Sequence, residues 1–296
     1  MCLAVAINWY RMLKTRLRKV SETATIRERF RGEHIMSKAR EYVVNLAAEG
    51  QHHFTVAEMG QSLGVSHTAA KLALNRLAKH GLVASPARGF YVIVPPEYKR
   101  LGCLPADQFI PALMERLRLA YYAGLLSAAQ YHGAAHHRPQ KFQIIVAKSR
   151  RPIHCGAVKV SFIARKRISE VPVQRFNTPR GTILVSTVEA TALDLVGYEH
   201  IVGGLDQVAT LLAELAAQID PKRLAAAART APISWAQRLG YILELVGAQA
   251  HVAPLKDYVR TTAKNVTPLL PAVPHANVPR ANDWRLYVNT QVEAEA

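Results

Sequence analysis

The sequence predicts an α+β protein: an N-terminal winged helix-turn-helix followed by a mixed α+β C-terminal domain with a helical bundle. Three observations predict it. Residues 37–94 read as helix, helix, tight turn, helix and two short β segments. Beyond residue 105, strand-length apolar runs come first and amphipathic helical runs follow, the order of an α+β layer structure. The chain has 296 residues, of which 50% are hydrophobic, enough for two cores. The expected division is an N-terminal extension at 1–35, a winged-helix domain at 36–96 and an α+β domain at 97–296.

The extension is apolar from Cys2 to Tyr10 and then basic, with Arg11, Lys14, Arg16, Arg18 and Lys19. A secretory signal has the reverse order, so secretion is not predicted. A basic amphipathic helix is one reading of this segment. The reading preferred is a poorly packed stretch ahead of Met36, where the first recognisable domain starts.

In that domain, Ala39, Tyr42, Val43, Leu46 and Ala47 recur at helical spacing and predict a helix over 37–50. Thr55 followed by Glu58 is a capping box for a second helix over 56–63. Gly64 permits the left-handed turn, and Ser66 caps a third helix over 67–80. Ala70, Leu74 and Leu77 share one face of it, while Thr68, Lys71, Asn75 and Lys79 point away. Two β segments around Pro86 and Gly89 then make a wing tipped by Arg88. A helix of this kind fits the major groove, where each base pair shows its own donor and acceptor pattern. The DNA-binding candidates are Ser66, His67, Thr68, Lys71, Asn75, Arg76, Lys79 and Arg88. Lys71, Lys79 and Arg88 are assigned to phosphates, Thr68 and Asn75 to bases. The same fold used only for protein contacts is the competing reading.

Pro95-Pro96 reads as a linker. Helices are expected over 105–117 and 118–132, and strands over 142–147, 158–164, 173–177 and 182–186. Residues 149–156 read as the turn of a hairpin. Thr187 caps a helix over 189–196. Helices at 205–218, 221–229 and 234–246 make the bundle, and 284–289 a closing strand.

The block Ser186-Thr187-Val188-Glu189-Ala190-Thr191-Ala192-Leu193-Asp194-Leu195 resembles the strand-to-helix block of AbiEi-family antitoxins. So does Gln237-Arg238-Leu239-Gly240-Tyr241-Ile242-Leu243-Glu244, and the terminal segment Val288-Asn289-Thr290 fits the same order. The resemblance covers about residues 36–296. It implies an antitoxin of a type IV, abortive-infection toxin–antitoxin system for phage defence. Its N-terminal domain would bind operator repeats and repress the operon. Its C-terminal domain would counter a nucleotidyltransferase-like toxin, by contact or indirectly.

Charge agrees with a polyanionic partner. The net charge is +17, from 38 Lys and Arg against 21 Asp and Glu. Residues 1–100 hold 16 basic and 7 acidic side chains, a denser excess than the remainder. Cys2, Cys103 and Cys155 are too scattered for a disulfide framework, which fits a cytoplasmic protein. No apolar run approaches the roughly 20 residues of a membrane helix.

No catalytic set, cofactor or metal site is predicted. P-loop and GxGxxG patterns are absent. His132, His136 and His137 form the only dense histidine group, and without a nearby Cys or acid they read as a helix end. Glu189 and Asp194 are five apart, so they diverge on a helix; Glu189 suits the positive end of the helix dipole. Arg238 and Glu244 read as packing or ion-pair residues, with a toxin contact as the sharper alternative. A second basic patch is read from Lys148, Arg150 and Arg151 with Arg165, Lys166 and Arg167, at opposite ends of a hairpin; solvated loops are the bland alternative.

The expected function is a DNA-binding repressor and antitoxin, with two copies on paired half-sites of double-stranded operator DNA. A stand-alone winged-helix transcription factor with a ligand- or protein-sensing C-terminal domain is the second reading, and a nucleic-acid-processing enzyme the third. An adjacent nucleotidyltransferase-like gene separates the first two; a metal-dependent nuclease assay tests the last.

Overall fold

The computed structural model describes residues 33–134 and 140–294. The 1–35 extension lies outside the described residues except for 33–35, and His136 and His137 lie outside them too. The chain divides into two compact units. One takes residues up to Leu104 together with Cys155–Ala157, and the other takes Pro105–His154 and the chain from Val158 onward.

The first unit opens with helix α1 (33–48), whose Ala39, Val43 and Leu46 are buried. Ile35 and Met36 pack on the same core, so the helix takes in residues 33–35, which the sequence reading set ahead of the domain. Strand β1 (His53–Thr55) has no counterpart among the elements the sequence predicts. It exists because its three residues pair antiparallel with Phe90, Tyr91 and Val92, a long-range partner that no local pattern announces. Helix α2 (Val56–Leu63) starts on the expected capping box: Glu58 N–H donates to Thr55 Oγ1 at 3.2 Å, and Thr55 N–H to Glu58 Oε2 at 2.7 Å. Gly64 ends it at φ 62°, a conformation that costs a side chain but not glycine. Helix α3 (His67–Lys79) follows, and Ala69 N–H donates to the Ser66 hydroxyl at its start. Strands β2 (Val83–Ala87) and β3 (Phe90–Ile93) complete a three-stranded sheet in the order β1-β3-β2.

In the second unit, α4 (Ala106–Leu117) precedes β4 (Tyr121–Ala123) and α5 (Leu125–Tyr131). The single helix expected over 118–132 is thus a strand and a helix. Three-residue β4 lies between β5 and β9 in the middle of the sheet, where neighbours on both sides override a helical reading. Strands β5 (Phe142–Val146), β6 (Ile153–Cys155), β7 (Val158–Ala164), β8 (Val173–Thr178) and β9 (Gly181–Ser186) give a mixed six-stranded sheet ordered β6-β7-β5-β4-β9-β8. The expected β5–β7 hairpin is overturned. Those strands run parallel, with Val146 opposite Ala164, because β6 forms inside the presumed turn and the chain crosses over.

Helix α6 (Val188–Gly197) is buried along nearly its whole length and forms the hub of the bundle. Around it pack α7 (Glu199–Val202), α8 (Leu205–Leu215), α9 (Pro221–Ala228) and α10 (Ile233–Leu245), and α11 (Ala253–Thr262) packs on α9 and α10. A small sheet ordered β10-β12-β11 closes the described chain, from β10 (Thr267–Pro268), β11 (Arg280–Ala281) and β12 (Leu286–Tyr287). Among the described residues no helix is long and apolar enough to cross a membrane.

Polar groups taken into this core are partnered, as burial requires. His132 is 7% exposed, and its Nε2 lies 2.8 Å from the Ser186 carbonyl oxygen, so Nε2 carries the proton. Burial lowers its pKa below the ordinary imidazole value, outweighing the opposing pull of the Ser186 carbonyl and Glu189. The folded state therefore resists protonation more than the unfolded chain does. The stability this histidine confers is complete above the unfolded value of about 6.5 and is lost as pH falls through the folded value. His132→Gln keeps a donor for Ser186 but does not titrate. Its chemical-denaturation midpoint is expected to fall less steeply than that of the parent between pH 7 and pH 5; parallel curves would refute the assignment.

Candidate nucleic-acid interface

α3 has a division of labour that follows from its sequence. Ala70, Ala73, Leu74 and Leu77 are buried against α1, α2 and the sheet. Ser66, His67, Thr68, Lys71, Asn75, Arg76 and Lys79 are all exposed. From residue 59 to residue 96 there is no Asp or Glu, while Lys71, Arg76, Lys79 and Arg88 fall inside that stretch. The surface is therefore cationic without internal neutralisation by its own segment. Basic residues at the last turn also suit the negative end of the helix dipole.

The β2–β3 turn is braced from within its own segment. The Ser85 hydroxyl is within hydrogen-bond distance of the Ala87 and Phe90 carbonyl oxygens, at 3.0 and 3.1 Å, and Pro86 is buried. Gly89 takes φ 72° at the turn, and Arg88 beside it is exposed. Phe90 of β3 is stacked on His53 of β1, which ties the hairpin to the first strand.

The second basic cluster is redistributed by the parallel pairing. Lys148, Arg150 and Arg151 follow β5 and Lys166 and Arg167 follow β7, so both groups leave the sheet at one end rather than at opposite ends. Arg165 does not belong with them. It is 4% exposed and forms an ion pair with Asp194 at 2.8 Å, donates to the Tyr122 hydroxyl at 2.7 Å and sits over the Trp235 ring. Arg167 is exposed but already paired with Glu170. Lys148, Arg150, Arg151 and Lys166 remain as solvent-facing cations.

The two blocks singled out in the sequence turn out to be fasteners. In the first, Thr187 caps α6, Glu189 accepts from the Asp220 N–H at 3.2 Å, and Asp194 faces Arg165 and Tyr122. Glu189 thus holds the start of α9 as well as standing in the first turn of α6. The carboxylates of Glu189 and Asp194 serve separate partners. In the second, Gln237 Nε2 donates to the Arg285 carbonyl oxygen at 2.8 Å, and Arg238 Nε to that of Pro268 at 3.0 Å. Glu244 accepts from the Trp284 indole at 2.7 Å and pairs with Lys256 at 2.6 Å. These contacts bind the terminal segment to α10. Among the described residues no three His, Cys, Asp or Glu side chains gather as a metal-ligand set.

Gly240 is the point of closest approach. A Cβ there would lie 2.0 Å from Cζ3 of Trp284, a buried ring. Gly240→Ala is expected to destabilise the second unit by about 3 kcal/mol, the upper part of the overpacking range, despite alanine's better helix propensity. Urea unfolding at an unchanged midpoint would show that Trp284 does not pack there.

Comparison with known proteins follows from this architecture. Residues 122–245 match the family model described as the AbiEi antitoxin C-terminal domain. The crystal structure of the RV2827C protein from Mycobacterium tuberculosis has a similar fold, with a TM-score of 0.59 at 19% identity over 84% of this chain and 90% of that one. A search of curated proteins finds no match. The matched segment runs from Tyr122 in β4 to the end of α10, and takes in both blocks whose polar residues fasten the core. Residues 122–245 are thus similar to the C-terminal domain of AbiEi antitoxins.

Proposed function

We propose that this protein is a DNA-binding repressor and antitoxin. In this reading the first unit is a winged helix that docks α3 in the major groove, with Arg88 reaching a phosphate or the adjacent minor groove. The observation that carries it is the exposed, acid-free basic face of α3 in a chain whose second unit is similar to an antitoxin domain. Lys71, Lys79 and Arg88 hold phosphates, while Thr68 and Asn75 face base edges. One helix reads too few base pairs for high specificity, so two copies occupy paired half-sites upstream of the operon. The counterpart of the antitoxin domain is a nucleotidyltransferase-like toxin encoded next to it, and both act in the cytoplasm during phage defence.

Co-expression tests the pairing. Growth arrest by the neighbouring gene alone, relieved by this protein, is the expected result; failure to relieve it removes the antitoxin role. Lys148, Arg150, Arg151 and Lys166 supply a further phosphate-binding patch in the second unit. Arg150→Glu with Arg151→Glu is expected to weaken operator binding at least tenfold while leaving the unfolding midpoint unchanged. Unaltered binding together with intact toxin relief would leave those residues as solvated loop.

A further inference from the structure

One side chain on the outward face of α3 has no use in phosphate binding. Leu72 is 57% exposed, while the other leucines of the helix, Leu74 and Leu77, are fully buried. It lies near the middle of α3, one turn beyond Thr68 and one turn before Asn75 and Arg76. Side chains three and four apart share a helix face, so Leu72 is ringed by the polar residues assigned to DNA. A lone leucine on a protein surface is ordinary. A leucine among the polar and basic residues of a segment that holds no acid is a narrower observation, because that face has a chemistry of its own.

We propose that Leu72 is a specificity-determining residue that packs on the C5-methyl group of a thymine in the major groove of each half-site. This rests on the reading of α3 as the DNA-binding helix and adds the base it selects. The thymine methyl is the apolar feature of the major-groove base edges, and aliphatic side chains meet it there. Charge decides between DNA and a second copy of this chain as the cover. Lys71 and Lys79 flank Leu72 in a segment with no acid from residue 59 to 96, so two such faces apposed would set like charges together. Duplex phosphates complement them instead.

The test begins with duplexes selected from a random-sequence pool by the full-length protein. Each thymine of the selected site is then replaced by deoxyuridine, which removes only the methyl group. The expected result is one position per half-site where this weakens binding about fourfold, the worth of one buried methyl. Leu72→Ala, with an unchanged thermal midpoint, is expected to bind the methylated and unmethylated duplexes equally. If deoxyuridine is tolerated at every thymine, or Leu72→Ala keeps the same sensitivity, Leu72 does not read a methyl, although DNA binding by α3 stands. If Leu72→Ala converts a dimer into a monomer in sedimentation, a second copy covers Leu72 and the proposal is overturned. If no duplex is selected at all, the DNA-binding reading fails and takes this one with it.

Discussion

Replacing Lys71, Lys79 and Arg88 together by alanine is expected to weaken duplex binding at least a hundredfold and to flatten its salt dependence. Each phosphate contact releases condensed counterions, so each lysine or arginine removed should lower the slope of log affinity against log salt by about 0.9. Three losses lower it by about 2.7. All three side chains are exposed, and none belongs to the cores of its unit, so the unfolding midpoint should not move. The combined pattern is the test. Weaker binding with an unchanged slope would mean that these residues act on something other than phosphate, and a lowered midpoint would mean that they support the fold. Asn75→Ala should behave differently, relaxing base preference at one position with little effect on the slope.

The second large effect is expected at the centre of the bundle. Asp194→Ala should destabilise the second unit by about 3–5 kcal/mol, because it leaves the Arg165 guanidinium buried without a counter-charge. Asp194 has no solvent exposure and Arg165 has 4%. Burial pushes the Asp194 carboxyl up to about 6, even though Arg165 pulls it down and the Tyr122 hydroxyl donates to it. Desolvation thus outweighs attraction at this carboxyl, and the pair matters chiefly because neither charge can be left alone. Adding Arg165→Met should recover most of the loss by replacing a stranded charge with an apolar chain of similar length. A single-variant cost below about 1 kcal/mol, or no recovery in the double variant, would contradict this account of the pair.

The features legible in the sequence are those set by neighbours in the chain. Thr55 with Glu58, Ser66, Gly64 and Thr187 all sit where local capping and turn chemistry placed them. The face of α3 was legible because Ala70, Leu74 and Leu77 keep helical spacing. Features that depend on distant partners were not. β1 is held by β3, β4 is a three-residue strand held from both sides, and β6 turns a presumed hairpin into a crossover. α11 offers only Leu255 and Val259 as buried residues, too thin an apolar stripe to read. Arg165 was misplaced because it stands in a basic run with Lys166 and Arg167. Strand alternation does not correct this, since it sets Arg165 on the side of exposed Lys159 as well as of buried Ile163; the partner that buries it, Asp194, is distant in the chain. Leu72 is not singled out by the helical pattern; only its exposure in the folded chain marks it.

Hydrogen exchange on the full-length protein, with and without the duplex from upstream of its own gene, tests the central claim most directly. Slowed exchange on adding the duplex is expected in α3, from His67 to Lys79, and at the wing tip around Arg88 and Gly89. Binding that leaves both segments unprotected, while slowing exchange only in the second unit, would contradict it.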